Sequence, residues 1–146
     1  MTEITFHFNV PDRQHYSCRL LRRAYAAGAS VVVVGQADAL NTLDAQLWAM
    51  QPIEFTPHCR RETASAQSVL MSPIVLAESL SELRCDDVLM NLSDTVPTEF
   101  ERFERLIEVV TIDEDDRAAA RHRWKYYASR GYVLKRHDFV STEDRQ

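Results

Sequence analysis

The chain has 146 residues, of which 45% are hydrophobic, and it carries 22 acidic against 17 basic side chains for a formal net charge of −5. This length and composition predict one domain over residues 1–146, with a large core and a frayed end at 141–146. No apolar stretch approaches the roughly 20 residues that cross a bilayer, so no membrane partner is expected. The acidic balance argues against a general duplex-DNA binder.

The start of the chain and its cysteines predict a cytoplasmic protein. Glu3 stands where a signal peptide would carry cations, and the segment has the pattern of a strand. Cys18, Cys59 and Cys85 are odd in number and far apart. They are typical of reduced thiols rather than of a disulfide framework.

The first 50 residues alternate between strand and helix patterns. Residues 4–10 alternate apolar and polar side chains, which predicts a strand with one buried face. Asp12 can cap a following helix that Gly28 ends. Four valines within residues 30–34 indicate a strand buried on both faces, and Asp38 precedes a second helix. This β-α-β-α order predicts an α/β fold with parallel strands and right-handed crossovers.

The rest of the chain continues this organisation. Further elements are predicted in chain order: an extended segment at 53–55, a polar loop at 60–68, strands at 73–77 and 88–92, a short helix at 98–103, a strand at 106–112, a final helix at 113–129 and an edge strand at 132–134. Gly131 is expected to end the final helix. We find no repeat or linker that divides the chain.

The chemistry of nucleotide or metal sites is not visible in the sequence. With glycines at 28, 35 and 131 only, neither phosphate-binding glycine motif can be built. His58 and Cys59 have no second ligand at metal-binding spacing, so His58 is expected to cap or pack after Pro57. We expect no catalytic residue, cofactor, metal or small-molecule substrate. A small α/β enzyme stays open as an alternative, without a nucleophile–base pair to support it.

A basic and aromatic segment at 113–136 is the main candidate for a binding site. It holds seven cations: Arg117, Arg121, Arg123, Lys125, Arg130, Lys135 and Arg136. At 100° per residue, Arg117, Arg121 and Trp124 form one stripe with Lys125 at its edge. Such a stripe suits a ligand that has both a carboxylate and an apolar group. The alternatives are a solvated helix face whose arginines pair with nearby acids, and a site for single-stranded nucleic acid.

The second candidate surface surrounds Trp48. Three leucines form the core face of the second helix: Leu40, Leu43 and Leu47. Trp48 lies off this face and is followed by Ile53 and Phe55, as in a protein-binding anchor. The alternative is a tryptophan that closes the edge of the core.

Several motifs along the chain together resemble the chi subunit family of bacterial DNA polymerase III. They are Phe6-His7-Phe8, Leu43-Asp44, Leu47-Trp48, Phe55-Thr56-Pro57-His58, the run from Arg121 to Tyr127, and Gly131-Tyr132. No single motif is specific, but their order and spacing run through nearly the whole chain.

The resemblance implies a single-domain, Rossmann-like three-layer sandwich with a mostly parallel central sheet and no nucleotide-binding glycine loop. It implies an accessory subunit of a DNA-directed DNA polymerase complex, without catalysis of its own, that reaches DNA only indirectly at the replisome in the nucleoid. Its partners would be the psi subunit of the clamp loader and the acidic, Phe-terminated tail of single-stranded DNA-binding protein.

The same resemblance assigns residues to the two partners. Trp48 and Phe55 would face psi. Arg121, Arg117, Trp124 and Lys125 would bind the tail, and Val110 would line its apolar wall. Arg123, Arg130 and Arg136 are left as solvated surface.

Overall fold

A seven-stranded sheet forms the centre of the protein in the computed structural model, which describes residues 1–49, 57–81, 83 and 85–139. The strands are β1 Glu3–Val10, β2 Val31–Val34, β3 Cys59–Arg60, β4 Ile74–Ala77, β5 Val88–Asn91, β6 Arg105–Thr111 and β7 Leu134–Asp138. Their order in the sheet is β3-β4-β2-β5-β6-β1-β7, and all neighbouring pairs are parallel. The predicted α/β class with parallel strands is therefore confirmed.

Helices cover both faces of the sheet and give the three layers of a Rossmann-like sandwich. They are α1 Arg13–Ala26, α2 Ala37–Ala49, α3 Ala66–Met71 and α4 Glu114–Ser129, with a 3-10 helix at Phe100–Arg102. Apolar residues of α1 and α2 share one core cluster with one side of the strands, and α4 contributes to the cluster on the other side. Among the described helices, none has the length and hydrophobicity to cross a membrane.

The valine run of β2 is buried on both faces, as its pattern predicts. Val31 and Val33 belong to the core cluster beneath α1 and α2, whereas Val32 and Val34 belong to the cluster beneath α4. Successive side chains of a strand point to opposite faces, so a strand between two helical layers needs apolar residues at every position.

The predicted ends of α1 and α4 are confirmed, whereas Asp38 lies inside the first turn of α2, which begins at Ala37, and does not precede that helix as predicted. The carboxylate of Asp12 accepts a hydrogen bond from the His15 amide at 3.2 Å and caps α1. Asp113 caps α4 in the same way, accepting from the Asp116 amide at 3.1 Å. Gly131 follows α4 with a φ of 83°, a left-handed conformation that favours glycine because it has no Cβ.

Some predicted elements need correction. Residues 60–68 are not a continuous loop, because they contain the end of β3 and the start of α3. The edge strand lies at Leu134–Asp138 rather than at 132–134, and its exposed, charged sequence hides it from an apolar pattern. The predicted extended segment at 53–55, which includes Phe55, and the predicted frayed end at 141–146 lie outside the described residues.

Candidate functional site

A groove of about 360 Å³ lies between α4 and the edge of the sheet. Its apolar lining comes from β1, β6 and α4: Phe6, Phe8, Val110, Ala120 and Trp124. The Phe6 and Trp124 rings meet edge to face, with their centroids 5.0 Å apart. This geometry is favourable for aromatic rings and gives the groove a preformed apolar floor.

Four cations surround this floor. Arg117, Arg121 and Lys125 project from α4, and Arg136 comes from β7. Arg117 lies 3.6 Å from Glu114 across an exposed i,i+3 pair. Within the described residues, the other three cations have no carboxylate in ion-pair range. The alternative interpretation, in which the cations of this helix face pair with neighbouring acids, therefore applies to Arg117 but not to the other three groove cations in the described residues.

The start of α4 is held against the end of β6. Asp116 accepts hydrogen bonds from the Thr111 amide at 2.7 Å and the Thr111 hydroxyl at 2.9 Å, and it pairs with Arg13 of α1. Burial by itself would raise the pKa of Asp116, but the bonds from Arg13 and Thr111 prevail and hold that pKa below its usual value. These contacts position Val110 and Arg117 on adjacent walls of the groove.

A buried polar network lies beneath α4 and corrects the expectation that Arg123 is solvated. Arg123 is only 2% exposed, and its Nε donates to Glu108 Oε1 at 3.0 Å. The Tyr127 hydroxyl donates to the other carboxylate oxygen at 2.7 Å, and Asn91 donates to both oxygens at 3.2 and 3.1 Å. Burial raises the pKa of Glu108, while these donors oppose that rise.

Arg130 and Arg136, which were also expected to be solvated surface, have different environments. Arg130 is exposed outside the groove, as predicted, with its guanidinium carbon 3.6 Å from the centroid of the Tyr126 ring. Arg136 is exposed too, but it lines the groove and lies over the Trp124 ring. The expectation that Arg136 is merely solvated surface is therefore wrong.

The Trp48 surface lies on α2, apart from the groove. Trp48 is 61% exposed, so it does not close the edge of the core. Its ring contacts His58, with centroids 5.3 Å apart, and His58 Nε2 lies 2.9 Å from a carboxylate oxygen of Asp44. His58 is buried and packs after Pro57, which was the structural role expected for it.

Two larger hollows of about 700 and 600 Å³ lie at the ends of strands. The residues described as lining them include no aromatic ring and one cation, Arg61. In the described part of the chain, no three His, Cys, Asp or Glu side chains are grouped so that they could hold a metal ion. Among these three hollows of the described residues, the groove beside α4 is therefore the one lined by both cations and aromatic rings.

Comparison with known proteins identifies the family. The family model for the DNA polymerase III chi subunit, HolC, matches residues 1–135. The chain belongs to the DNA polymerase III chi subunit family. It is 29% identical over 143 residues to DNA polymerase III subunit chi of Pseudomonas aeruginosa, covering 94% of this chain and 96% of that protein. It is also 27% identical over 124 residues to subunit chi of Haemophilus influenzae, covering 83% of each chain. Membership of the chi family assigns the protein to the DNA polymerase III complex and hence to DNA replication.

The fold brings together in one groove the five residues that the sequence analysis assigned to the tail site. Val110, Arg117, Arg121, Trp124 and Lys125 all line the groove. Sequence reasoning missed the additional lining residues Phe6, Phe8, Ala120 and Arg136. The alternating pattern of β1 puts Phe6 and Phe8 on one face, but periodicity does not reveal that α4 leaves that face partly uncovered.

Proposed function

We propose that the groove beside α4 binds the acidic, Phe-terminated tail of single-stranded DNA-binding protein. The observation that carries this proposal is the combination of an apolar, aromatic floor with Arg121, Lys125 and Arg136, none of which has an acidic partner in the described residues. In this proposal the terminal phenylalanine ring occupies the floor beside Trp124. The terminal carboxylate of the peptide accepts two parallel hydrogen bonds from Arg121, a geometry that a guanidinium provides and an ammonium does not.

The surface around Trp48 is proposed as the site for the psi subunit of the clamp loader. A large aromatic ring with most of its area exposed is costly to leave in water and is a typical interface anchor. The contact with His58, itself bonded to Asp44, limits the orientations of that ring. Phe55 follows on the same stretch of sequence and is proposed as a second anchor.

With two separate surfaces, the protein would link the clamp loader to DNA that is already coated by its binding protein. In this role it contacts DNA only indirectly, at the replisome in the nucleoid. Direct binding of single-stranded nucleic acid is the alternative. The net charge of −5 disfavours it, because sequence-independent binding depends on neutralising many phosphates.

The tail site is tested by replacing Arg121 with alanine. Arg121 is exposed, so the fold should be retained. Loss of a bidentate contact to a carboxylate should weaken binding of a labelled acidic, Phe-terminated peptide by roughly 30-fold or more in fluorescence polarisation. Arg130→Ala is the matched control, since it removes an exposed arginine outside the groove. Equal affinities of Arg121→Ala and the wild-type protein would show that the groove is not the tail site.

The Trp48→Ala variant tests whether the two surfaces act separately. It should reduce co-purification with psi and leave peptide affinity unchanged. If psi still co-purifies at the wild-type yield, the assignment of Trp48 is wrong. A gel shift of the isolated protein with single-stranded DNA addresses the alternative function, because strong binding without any other protein would favour direct nucleic-acid recognition.

A further inference from the structure

Arg136 occupies a position that links the edge strand to the aromatic floor. It is paired in register with Phe6 across the β1–β7 ladder, so the two side chains share the sheet face that α4 covers. Its guanidinium carbon lies 5.0 Å from the centroid of the Trp124 ring, and Trp124 in turn contacts Phe6. Arg136 thus belongs to the groove although 11 positions separate it from Lys125 in the sequence.

The hydrogen-bonding capacity of Arg136 remains available beside Trp124. A guanidinium that lies over an aromatic face interacts with it through its positive charge and can still donate N–H groups to another partner. Within the described residues, no hydrogen bond or ion pair uses these donors. Contact with Trp124 also restricts the long side chain before a ligand arrives, which lowers the entropy cost of binding.

The cations approach the groove from two different elements. Arg121 and Lys125 approach the floor from α4, whereas Arg136 approaches from the opposite element, β7. A single terminal carboxylate can satisfy one guanidinium bidentately. Arg117, the other guanidinium that α4 contributes to the groove, pairs with Glu114. Arg136 is therefore the guanidinium available for a second carboxylate in the same ligand.

We propose that Arg136 is a specificity-determining residue that binds an acidic side chain preceding the aromatic end of the peptide. This inference rests on the proposed function of the groove and adds a sequence requirement to it. The groove would then select peptides with carboxylates both at the C-terminus and just before the terminal phenylalanine. A role limited to covering Trp124 would instead favour acidic and neutral peptides equally.

The test measures two peptides against four proteins. One peptide is acidic and ends in phenylalanine, and its partner carries asparagine in place of the acidic residues that precede the phenylalanine. The proteins are the wild type, Arg136→Gln, Arg136→Lys and the control Arg130→Gln, which removes the same charge from another guanidinium stacked on an aromatic ring. Circular dichroism verifies that each variant is folded.

At low salt, Arg136→Gln should bind the acidic peptide roughly fivefold more weakly and the neutral peptide with less than about twofold change. Arg136→Lys should fall between these values, because it keeps the charge and loses the planar donors. Arg130→Gln should match the wild type. An equal loss for both peptides, or no loss for either, overturns the role of Arg136 while the groove remains the tail site. If the wild-type protein binds neither peptide, the proposed function of the groove fails as well.

Discussion

Arg121 and Arg123 stand two positions apart on α4 and have opposite environments. Two positions correspond to about 200° around a helix, so one side chain faces the groove while the other turns under the helix. Arg121 is exposed and Arg123 is buried against Glu108. A charged residue is tolerated in a protein interior when it is paired and hydrogen-bonded, and Arg123 also donates to the Asp94 carbonyl at 3.1 Å.

The buried pair predicts a large effect of changing Arg123. An Arg123→Met variant keeps much of the side-chain volume but leaves the Glu108 carboxyl without its charged partner. Breaking a buried pair in this way typically costs about 3–5 kcal/mol, and we expect that decrease in the free energy of unfolding. Urea denaturation followed by circular dichroism measures it. The exposed control Arg130→Met loses a surface contact with Tyr126 and should change stability by less than about 1 kcal/mol. A similarly small change in Arg123→Met would contradict the structural role of the pair.

At the scale of elements, α4 combines three roles on two faces and its first turn. One face presents the groove cations, a second carries the buried residues Ala120 and Tyr127, and its first turn is anchored to β6 through Asp116. The first turn is acidic because carboxylates stabilise a helix N-terminus. Asp113 and Asp116 accept backbone hydrogen bonds there, which explains the acidic run without a metal site.

Replacing Asp113 should therefore destabilise the protein without affecting recognition. Asp113→Ala removes the side chain that caps the Asp116 amide, and such a loss costs about 1 kcal/mol. Asp115→Ala is a matched control, because Asp115 is an exposed acid in the same turn with no capping bond in the structure. It should lose only a few tenths of a kcal/mol through the helix dipole. Chemical denaturation of both variants distinguishes capping from charge, and equal losses would count against the cap.

At the scale of the whole molecule, His7 connects β1, β7 and α1. Its Nδ1 lies 2.6 Å from the Tyr16 hydroxyl, and its ring centroid is 4.9 Å from that of His137. Burial, and then the electrostatic influence of the neighbouring His137 and Arg23, lowers the pKa of His7 to about 4. The folded protein thus resists protonation at a site that the unfolded chain protonates near pH 6.5.

This difference makes stability depend on pH with a definite sign. Between pH 6.5 and about 4 the unfolded chain binds more protons than the folded protein, so stability should fall as the pH is lowered through this window. The contribution of His7 should reach roughly 3 kcal/mol between pH 7 and pH 4. Urea denaturation of the wild type and of His7→Gln at several pH values isolates the contribution of His7. The free energy of unfolding of the variant should depend less on pH than that of the wild type. Parallel curves for the two proteins would mean that His7 titrates normally.

The sequence by itself determined the fold class, the helix caps and most of the groove. Burial between two helical layers demands the continuous valines of β2, and residues of one helical stripe share one direction, so the spacing of Arg117, Arg121 and Trp124 was enough to group them. Only the tertiary structure decided the roles of Arg123 and Arg136. Arg123 is buried because Glu108 of a different element lies opposite it, and Arg136 enters the groove because β7 pairs with β1 in a register that aligns it with Phe6. Both facts depend on contacts between residues distant in sequence, which local periodicity does not encode.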